Sequence, residues 1–236
     1  MSINENEKKE LMKIFDEIAS SYAYSRGRPW NIVFEILADS PKNIVDVGCG
    51  PGQNTLLILK KSLAEVFCVD FSGEMLKIAR KRFIRNNVYL KAHLILADIE
   101  FLPFRENSFE RALYIATIHH LPSHESRLNS LREVFRILKP KGKALITAWA
   151  LLQPRFFKVL LKNALLKIIN PSRCLGDTYV PWRRKGKVLK RFYHLFLPHE
   201  LRKLCGEAGF KILKSGSYKV KAKVFPENYY VIGLKQ

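Results

Sequence analysis

Three acids and three glycines hold the chemical interest of this chain. Asp46 sits inside a short apolar run, Ile44 to Val47, and Gly48, Gly50 and Gly52 follow it. Asp70 closes a second apolar run, residues 65–70, and Asp98 closes a third, residues 94–97. A carboxylate in an apolar strand is costly to bury unless donors meet it. A tight glycine turn lets backbone N–H groups approach a ligand closely. Each acid could simply cap the helix that follows. Together, on one edge of a sheet, they could face a ligand rich in donors.

The glycines read Gly-x-Gly-x-Gly, not the Gly-x-Gly-x-x-Gly of a dinucleotide site. Three carboxylates would also repel a pyrophosphate. They suit a ligand offering an ammonium, ribose hydroxyls and an adenine amine, with Asp46 near the cationic part, Asp70 on the ribose and Asp98 on the adenine. S-adenosylmethionine is such a ligand.

The elements that must place these groups can be read from periodicity. Residues 4–20 look helical, with Leu11, Ile14, Phe15 and Ile18 at spacings of three and four. Residues 21–31 break that pattern, and a helix resumes at Trp30, Val33, Phe34 and Leu37. The strand and glycine turn come next, then a helix over 53–61. Ser72 is placed to cap a further helix, with Met75 in its first turn. Apolar runs at 94–97 and 112–118, a helix over 124–138, a stop at 139–142 and a strand over 143–149 continue the alternation. Residues 154–191 interrupt it with an amphipathic piece, Phe156 to Ile169, and a loop containing Pro and Gly. A helix to Ala208, Gly209 and strands over 210–215 and 229–234 finish the chain. Residues 216–225 could form one more strand, in a hairpin with the last. The expected fold is α/β: a Rossmann-like, seven-stranded, mostly parallel sheet with helices on both faces and a basic insertion before the last strands. The expected divisions are N-terminal helices over 1–38, a cofactor-binding core over 43–149, the insertion over 154–191 and a C-terminal part over 199–236, all in one domain of 236 residues.

Composition narrows the partners. The formal net charge is +20, from 41 Lys and Arg against 21 Asp and Glu. That excess suits a polyanion such as a nucleic acid. Residues 154–191 alone hold eleven basic residues and one acid, Asp177. Arg80, Lys81, Arg82, Arg85 and five lysines over 211–223 add to the basic surface. No run reaches the roughly eighteen apolar residues of a membrane span. The four cysteines, Cys49, Cys68, Cys174 and Cys205, lack metal-type spacing, so no metal is expected, and a reducing, cytoplasmic setting is.

Asp-Val-Gly-Cys-Gly-Pro-Gly at 46–52 resembles motif I of the class I S-adenosylmethionine-dependent methyltransferases. Val-Asp-Phe-Ser-Gly-Glu-Met at 69–75 is similar to their second motif. Asp98 with Leu102-Pro103-Phe104 and Phe109, and then Ile118-His119-His120-Leu121, resemble the third and fourth. The likeness narrows at residues 149–153, at Val180-Pro181-Trp182, at 191–196 and at 228–232, which resemble the tRNA wobble-uridine carboxymethyl methyltransferases of the tRNA methyltransferase 9 and AlkB homologue 8 type. Arg28-Pro29-Trp30 is similar to that family's start. Two positions depart from its pattern: Leu152, where an acid is expected, and Arg111.

The resemblance implies a cofactor site of Asp46, Gly48, Gly50, Gly52, Asp70, Met75, Asp98 and Ile99. It also implies methyl esterification of a 5-carboxymethyluridine-type base at the anticodon wobble position. A carboxylate is already ionised near neutral pH, so no strong base is needed, only orientation and exclusion of water. Arg28, His120, Arg191 and His194 are the candidate orienting groups. His119 is the weaker of the histidine pair, and Tyr24, Trp182 and Tyr193 could stack on a base. The implied partners are tRNA and a small zinc-binding activator of the tRNA methyltransferase 112 type, for which Val88, Tyr89, Leu90, Leu94 and Ile95 offer an apolar patch. Rival readings are a methyltransferase for a quinone, sterol or other small molecule, and a cofactor-binding subunit that positions RNA without catalysis.

Overall fold

The run 43–47 is apolar apart from Asp46, and it becomes β1 (Asn43–Val47), near the middle of the sheet. A computed structural model describes residues 5–25, 27–170, 174–184, 186–220 and 224–236. The further strands are β2 (Glu65–Asp70), β3 (Ala92–Leu96), β4 (Phe109–Ile115), β5 (Leu138–Trp149), β6 (Asp177–Arg184), β7 (Lys187–His194), β8 (Lys211–Tyr218) and β9 (Asn228–Leu234). Seven of them form one sheet in the order β3-β2-β1-β4-β5-β9-β8. All run parallel except β9, which is antiparallel to both β5 and β8. This is the Rossmann-like architecture expected from the alternation of strands and helices.

Strand alternation gives the sheet two faces. Val45 and Val47 of β1, with Tyr114 and Ile146, pack against α4 (His124–Ile137) and α6 (Pro198–Glu207). Ile44, Leu113 and Leu145 point the other way, toward α2 (Gln53–Lys61) and α3 (Gly73–Arg85). The order reverses between β1 and β4, and ligands of such sheets bind at the carboxyl ends of the strands beside that reversal. Helix α1 (Glu5–Ser25) lies across that end and packs on α3. Its Asp16 accepts from the Ser72 hydroxyl and from the Glu74 backbone at the N-terminus of α3, where a negative charge is favourable.

Several elements differ from the sequence reading. Residues 31–36 form a single short 3-10 helix. The strand expected from Lys143 already begins at Leu138, because Lys141 N–H and Gly142 C=O bond to Lys235 at the end of β9. Residues 216–218 continue β8 rather than starting a new strand, while 221–223 lie outside the described residues. The largest difference is in the basic insertion. It holds helix α5 (Phe157–Ile169) and then a β-hairpin, β6 with β7, where a loop is expected. In β6 Tyr179, Pro181 and Arg183 face solvent and their neighbours do not, a period of two disguised by Pro181 and the charges. Gly186, at φ 77°, lies in the turn.

Candidate active site

The glycine turn follows from packing as much as from its own flexibility. Gly48 and Gly52 both have φ 72°. A Cβ on Gly48 would overlap Thr117, and one on Gly52 would overlap Phe83 of α3. Gly50, at φ 54°, is different, since its missing Cβ would point into open space. Two glycines therefore let the turn lie close to its neighbours, and the third leaves room above it.

That room belongs to a cleft of about 660 Å³ at the carboxyl edge of the sheet. Gly48, Gly50, Asp70, Met75, Asp98, Ile99 and His120, all singled out from the sequence, line it. Asp70 is held from two sides: Oδ2 accepts from Gly50 N–H at 2.8 Å and Oδ1 from Ser72 N–H at 2.9 Å. Burial pushes its carboxyl up to about 6, against the pull of those two bonds. Asp46 lies beneath the turn rather than on the cleft wall. Its Oδ2 accepts from Thr55 Oγ1 at 2.6 Å, and burial, with Asp70 nearby, raises its carboxyl to about 7. Asp98 lines the cleft but is engaged by Lys8 of α1 at 2.8 Å, which also pairs with Glu100. A neutral amine arriving at Asp98 must share it with that lysine.

Opposite the acids stand His120 and the hairpin. His120 packs edge-on against Phe15 and Tyr193, one ring nitrogen bonds the Phe192 backbone, and Nδ1 has no partner among the described residues. Burial, with the positive charge of Arg191, lowers its pKa to about 3, so the ring is neutral. Arg191 is buried between the rings of Trp182 and Tyr193, with its carbon 4.8 and 5.1 Å from their centroids. It stands behind His120 rather than on the cleft wall.

The other candidates fall elsewhere. Arg28 is exposed in the loop after α1 and does not reach the cleft. His194 does not line the cleft; it is buried at the end of β7, between Asp177 and Glu200. His119 is sandwiched in the core, its ring stacked on Tyr193 and its Nδ1 accepting from Trp149 N–H. Tyr193 is itself buried and cannot stack on an incoming base, whereas Tyr24 is wholly exposed. Arg82, read as basic surface, donates to the Pro51 carbonyl behind the glycine turn. The unusual Arg111 ties β4 to the preceding segment by donating to the Ile36 and Ala38 carbonyls and to Asp39.

Tyr179, Lys190 and Phe192 of the hairpin and Lys8, Phe15 and Tyr22 of α1 line the cleft without having been singled out as site residues for it. Read as a loop, the hairpin gave no reason to choose Lys190 over ten other basic residues. Its period of two was the signal available. The completed cleft has an acidic, backbone-lined half and a half built of aromatic rings, a neutral imidazole and a lysine. It can hold a polar, partly cationic molecule against a second, anionic one and close water out between them.

The family model described as "Methyltransferase domain" matches residues 45–146. The tRNA (carboxymethyluridine(34)-5-O)-methyltransferase of Schizosaccharomyces pombe is 30% identical over 234 residues, covering 90% of this chain and 93% of its own. The alkbh8 protein of Xenopus tropicalis, with the same activity in its name, is 29% identical over 84% of this chain, which spans 37% of that longer protein. Among solved structures, a SAM-dependent methyltransferase of Methanosarcina mazei superposes with a TM-score of 0.73 at 21% identity, covering 88% of this chain and 98% of its own. A methyltransferase solved in complex with the Haloferax volcanii Trm112 activator superposes with a TM-score of 0.63 at 17% identity, covering 95% of this chain and 96% of its own.

Proposed function

The chain belongs to the tRNA (carboxymethyluridine(34)-5-O)-methyltransferase family of S-adenosylmethionine-dependent methyltransferases, and on that premise we propose that it transfers a methyl group from S-adenosylmethionine to the carboxylate of a carboxymethyl-type uridine at the wobble position of tRNA. The observation that carries this reading is the cleft, where the glycine turn, Asp70 and Asp98 meet the hairpin's Lys190 and Phe192.

The cofactor fits the donors and acceptors present. Asp70, already oriented by two backbone bonds, would accept from the ribose hydroxyls, Gly50 would leave space for the methionine portion, and Asp46 would place a negative charge beneath its cationic groups. Bound there, the cofactor supplies an electrophilic methyl on sulfur. The protein's part is to bring an ionised carboxylate into line with it. Lys190 supplies a positive charge on the acceptor side, His120 a neutral ring that excludes water, and Arg191 a buried charge that holds both in place. The reaction joins an anion to a cation, so charge is lost in the transition state and a drier site speeds it.

Cofactor affinity should depend on pH through Asp70. Ribose hydroxyls donate to the ionised carboxylate, whereas the ligand-free protein takes up a proton near pH 6. Titration calorimetry should find constant affinity well above pH 7, where Asp46 and Asp70 are both ionised, a loss as Asp46 takes up its proton near 7, and a steeper loss below pH 6. Asp70→Asn should bind weakly and keep only the loss that begins near pH 7 with Asp46; a profile as steep below pH 6 as the wild type's would assign the second proton to another group.

The basic face of the hairpin and α5, with Lys158, Lys162, Arg183 and Lys187 exposed, would hold the tRNA backbone. A protein activator of the Trm112 type would cover the outer edge of β3. Among the described residues that edge has no neighbouring strand, and Leu90, just before β3, is 92% exposed. Unpaired, apolar edges invite a partner. The deciding experiment is transfer of tritiated methyl to bulk tRNA, with and without the activator, followed by nucleoside digestion. Label in an alkali-labile ester of a modified uridine is expected. Label only in a lipid extract would replace this reading with the small-molecule one.

A further inference from the structure

A second cavity, about 420 Å³, lies at the open end of the hairpin, where β6 begins and β7 ends, and is lined by Cys174, His194, Glu200 and Arg127 among others. Ladder register explains how its groups meet. Asp177 opens β6, His194 ends β7, and the two are directly paired, so their side chains start only about 5 Å apart. Cys174 arrives from the segment just before β6. The sulfur, a carboxylate oxygen of Asp177 and a ring nitrogen of His194 all lie within 4.8 Å of one another.

We propose that Cys174, Asp177 and His194 hold a zinc ion that pins the hairpin to the body of the protein. The three donor atoms around His194 are close enough to converge on one cation. The His194 Nε2 lies 2.6 Å from Glu200 Oε1, and its Nδ1 lies 2.6 Å from Asp177 Oδ1. With Nε2 donating to Glu200, the Nδ1 lone pair, an Asp177 oxygen and the Cys174 sulfur form a set of three donor atoms that a cation can join once Nδ1 and Oδ1 part to metal-ligand spacing. Metal-binding histidines commonly have this form: one nitrogen on the metal, the other donating to a carboxylate behind it. A proton on Nδ1 is the alternative occupant; it would satisfy the two acids and leave the Cys174 sulfur to Arg127 alone.

The donor set of sulfur, nitrogen and oxygen suits zinc. Tetrahedral ligands lie roughly 3.3–3.6 Å apart, so the three groups need to shift by only about an ångström, and the cavity has room for a water as fourth ligand. Charge also balances. Zinc and the buried Arg127, which reaches the Cys174 sulfur, together offset a thiolate and the carboxylates of Asp177 and Glu200. The site joins the approach to β6, both ends of the hairpin and, through Glu200, the first turn of α6. It therefore fixes the wall that carries Lys190 and Phe192 into the cleft. The assignment stands independently of the substrate proposed above.

The test uses the chain alone, without a metal-affinity tag, purified from zinc-supplied cells. Elemental analysis should find about one zinc per chain. Cobalt exchanged into the wild-type protein should give tetrahedral visible bands and a sulfur-to-cobalt charge-transfer band. Cys174→Ser should lose that band and hold zinc at least tenfold more weakly. Chelation should remove hydrogen-exchange protection from residues 174–194 and leave cofactor binding to the glycine turn intact. Less than about a tenth of a zinc per chain after dialysis against micromolar zinc, or cobalt bound without the sulfur band, would overturn the assignment. So would nitrogen NMR showing both His194 ring nitrogens protonated in zinc-supplied protein.

Discussion

Asp46→Asn should make the ligand-free protein more stable and its cofactor complex weaker. The carboxyl is buried among apolar strand residues with Thr55 as its hydrogen-bond partner, and it is raised to about 7. Its unfolded value is near 3.9. A carboxyl whose folded pKa is raised favours the folded state when protonated. Ionising it in the folded protein therefore costs stability, fully above pH 7 and hardly at all below pH 4. Asn keeps the oxygen that accepts from Thr55 and removes the charge. At pH 8 the variant should gain about 2 kcal/mol, or roughly 4–8 °C in Tm for a chain of this size. The gain should fade as the pH is lowered toward 4.

The opposite effect is expected on ligand binding, because Asp46 is the charge beneath the site proposed for the cationic end of the cofactor. Affinity at pH 8 should fall by about 100-fold, equivalent to about 2.7 kcal/mol. Thermal melts across pH, with and without S-adenosylhomocysteine and S-adenosylmethionine, read both effects. The analogue lacking the sulfonium should lose less affinity than the cofactor itself. A variant less stable at pH 8 that binds the cofactor normally would show that Asp46 serves only the turn's architecture.

Arg191→Ala should affect the other half of the cleft. The guanidinium fills the space between Trp182 and Tyr193 and bears on His120. Through Trp182, whose Nε1–H donates to Ser21 Oγ, the same clamp ties the hairpin to α1. Removing it should leave cofactor affinity within about threefold of wild type, since the acids and the glycine turn are untouched, while kcat/KM for tRNA falls by about 100-fold. Arg191→Lys keeps the charge but loses the flat face stacked on two rings, so it should recover only part of that loss. A second signature separates positioning from simple destabilisation. With the charge gone, the His120 pKa should rise toward its ordinary value, because Arg191 is one of the two causes that lower it. Equal losses of cofactor affinity and turnover would instead mark Arg191 as a general packing residue.

The cofactor half of the cleft was largely legible in the chain. Asp46, the three glycines, Asp70 and Met75 lie within thirty residues, on elements whose order follows from local periodicity, and strand-turn-helix geometry makes neighbours of them. Ser72 caps α3 as its position suggested, its Oγ accepting from Met75 N–H. The acceptor half was not legible in the same way. His120 and Lys190 are seventy positions apart and meet only because β7 folds back over the carboxyl edge of the sheet. Charge and Pro181 masked the alternation that would have revealed the strand.

Arg191 and His194 show the division most clearly. They sit three residues apart in a strongly basic stretch, and their types alone made both candidates for the same site. The strand sends them to different surroundings, one behind His120, between Trp182 and Tyr193, and the other into the cluster with Cys174, Asp177 and Glu200. Sequence by itself determined the sheet, the glycine turn and the class of cofactor, because local hydrophobic pattern and turn chemistry are enough to specify them. Tertiary structure alone decided which basic and imidazole groups line the cleft and which do not, because that choice depends on the strand pairing of a hairpin rather than on any spacing along the chain.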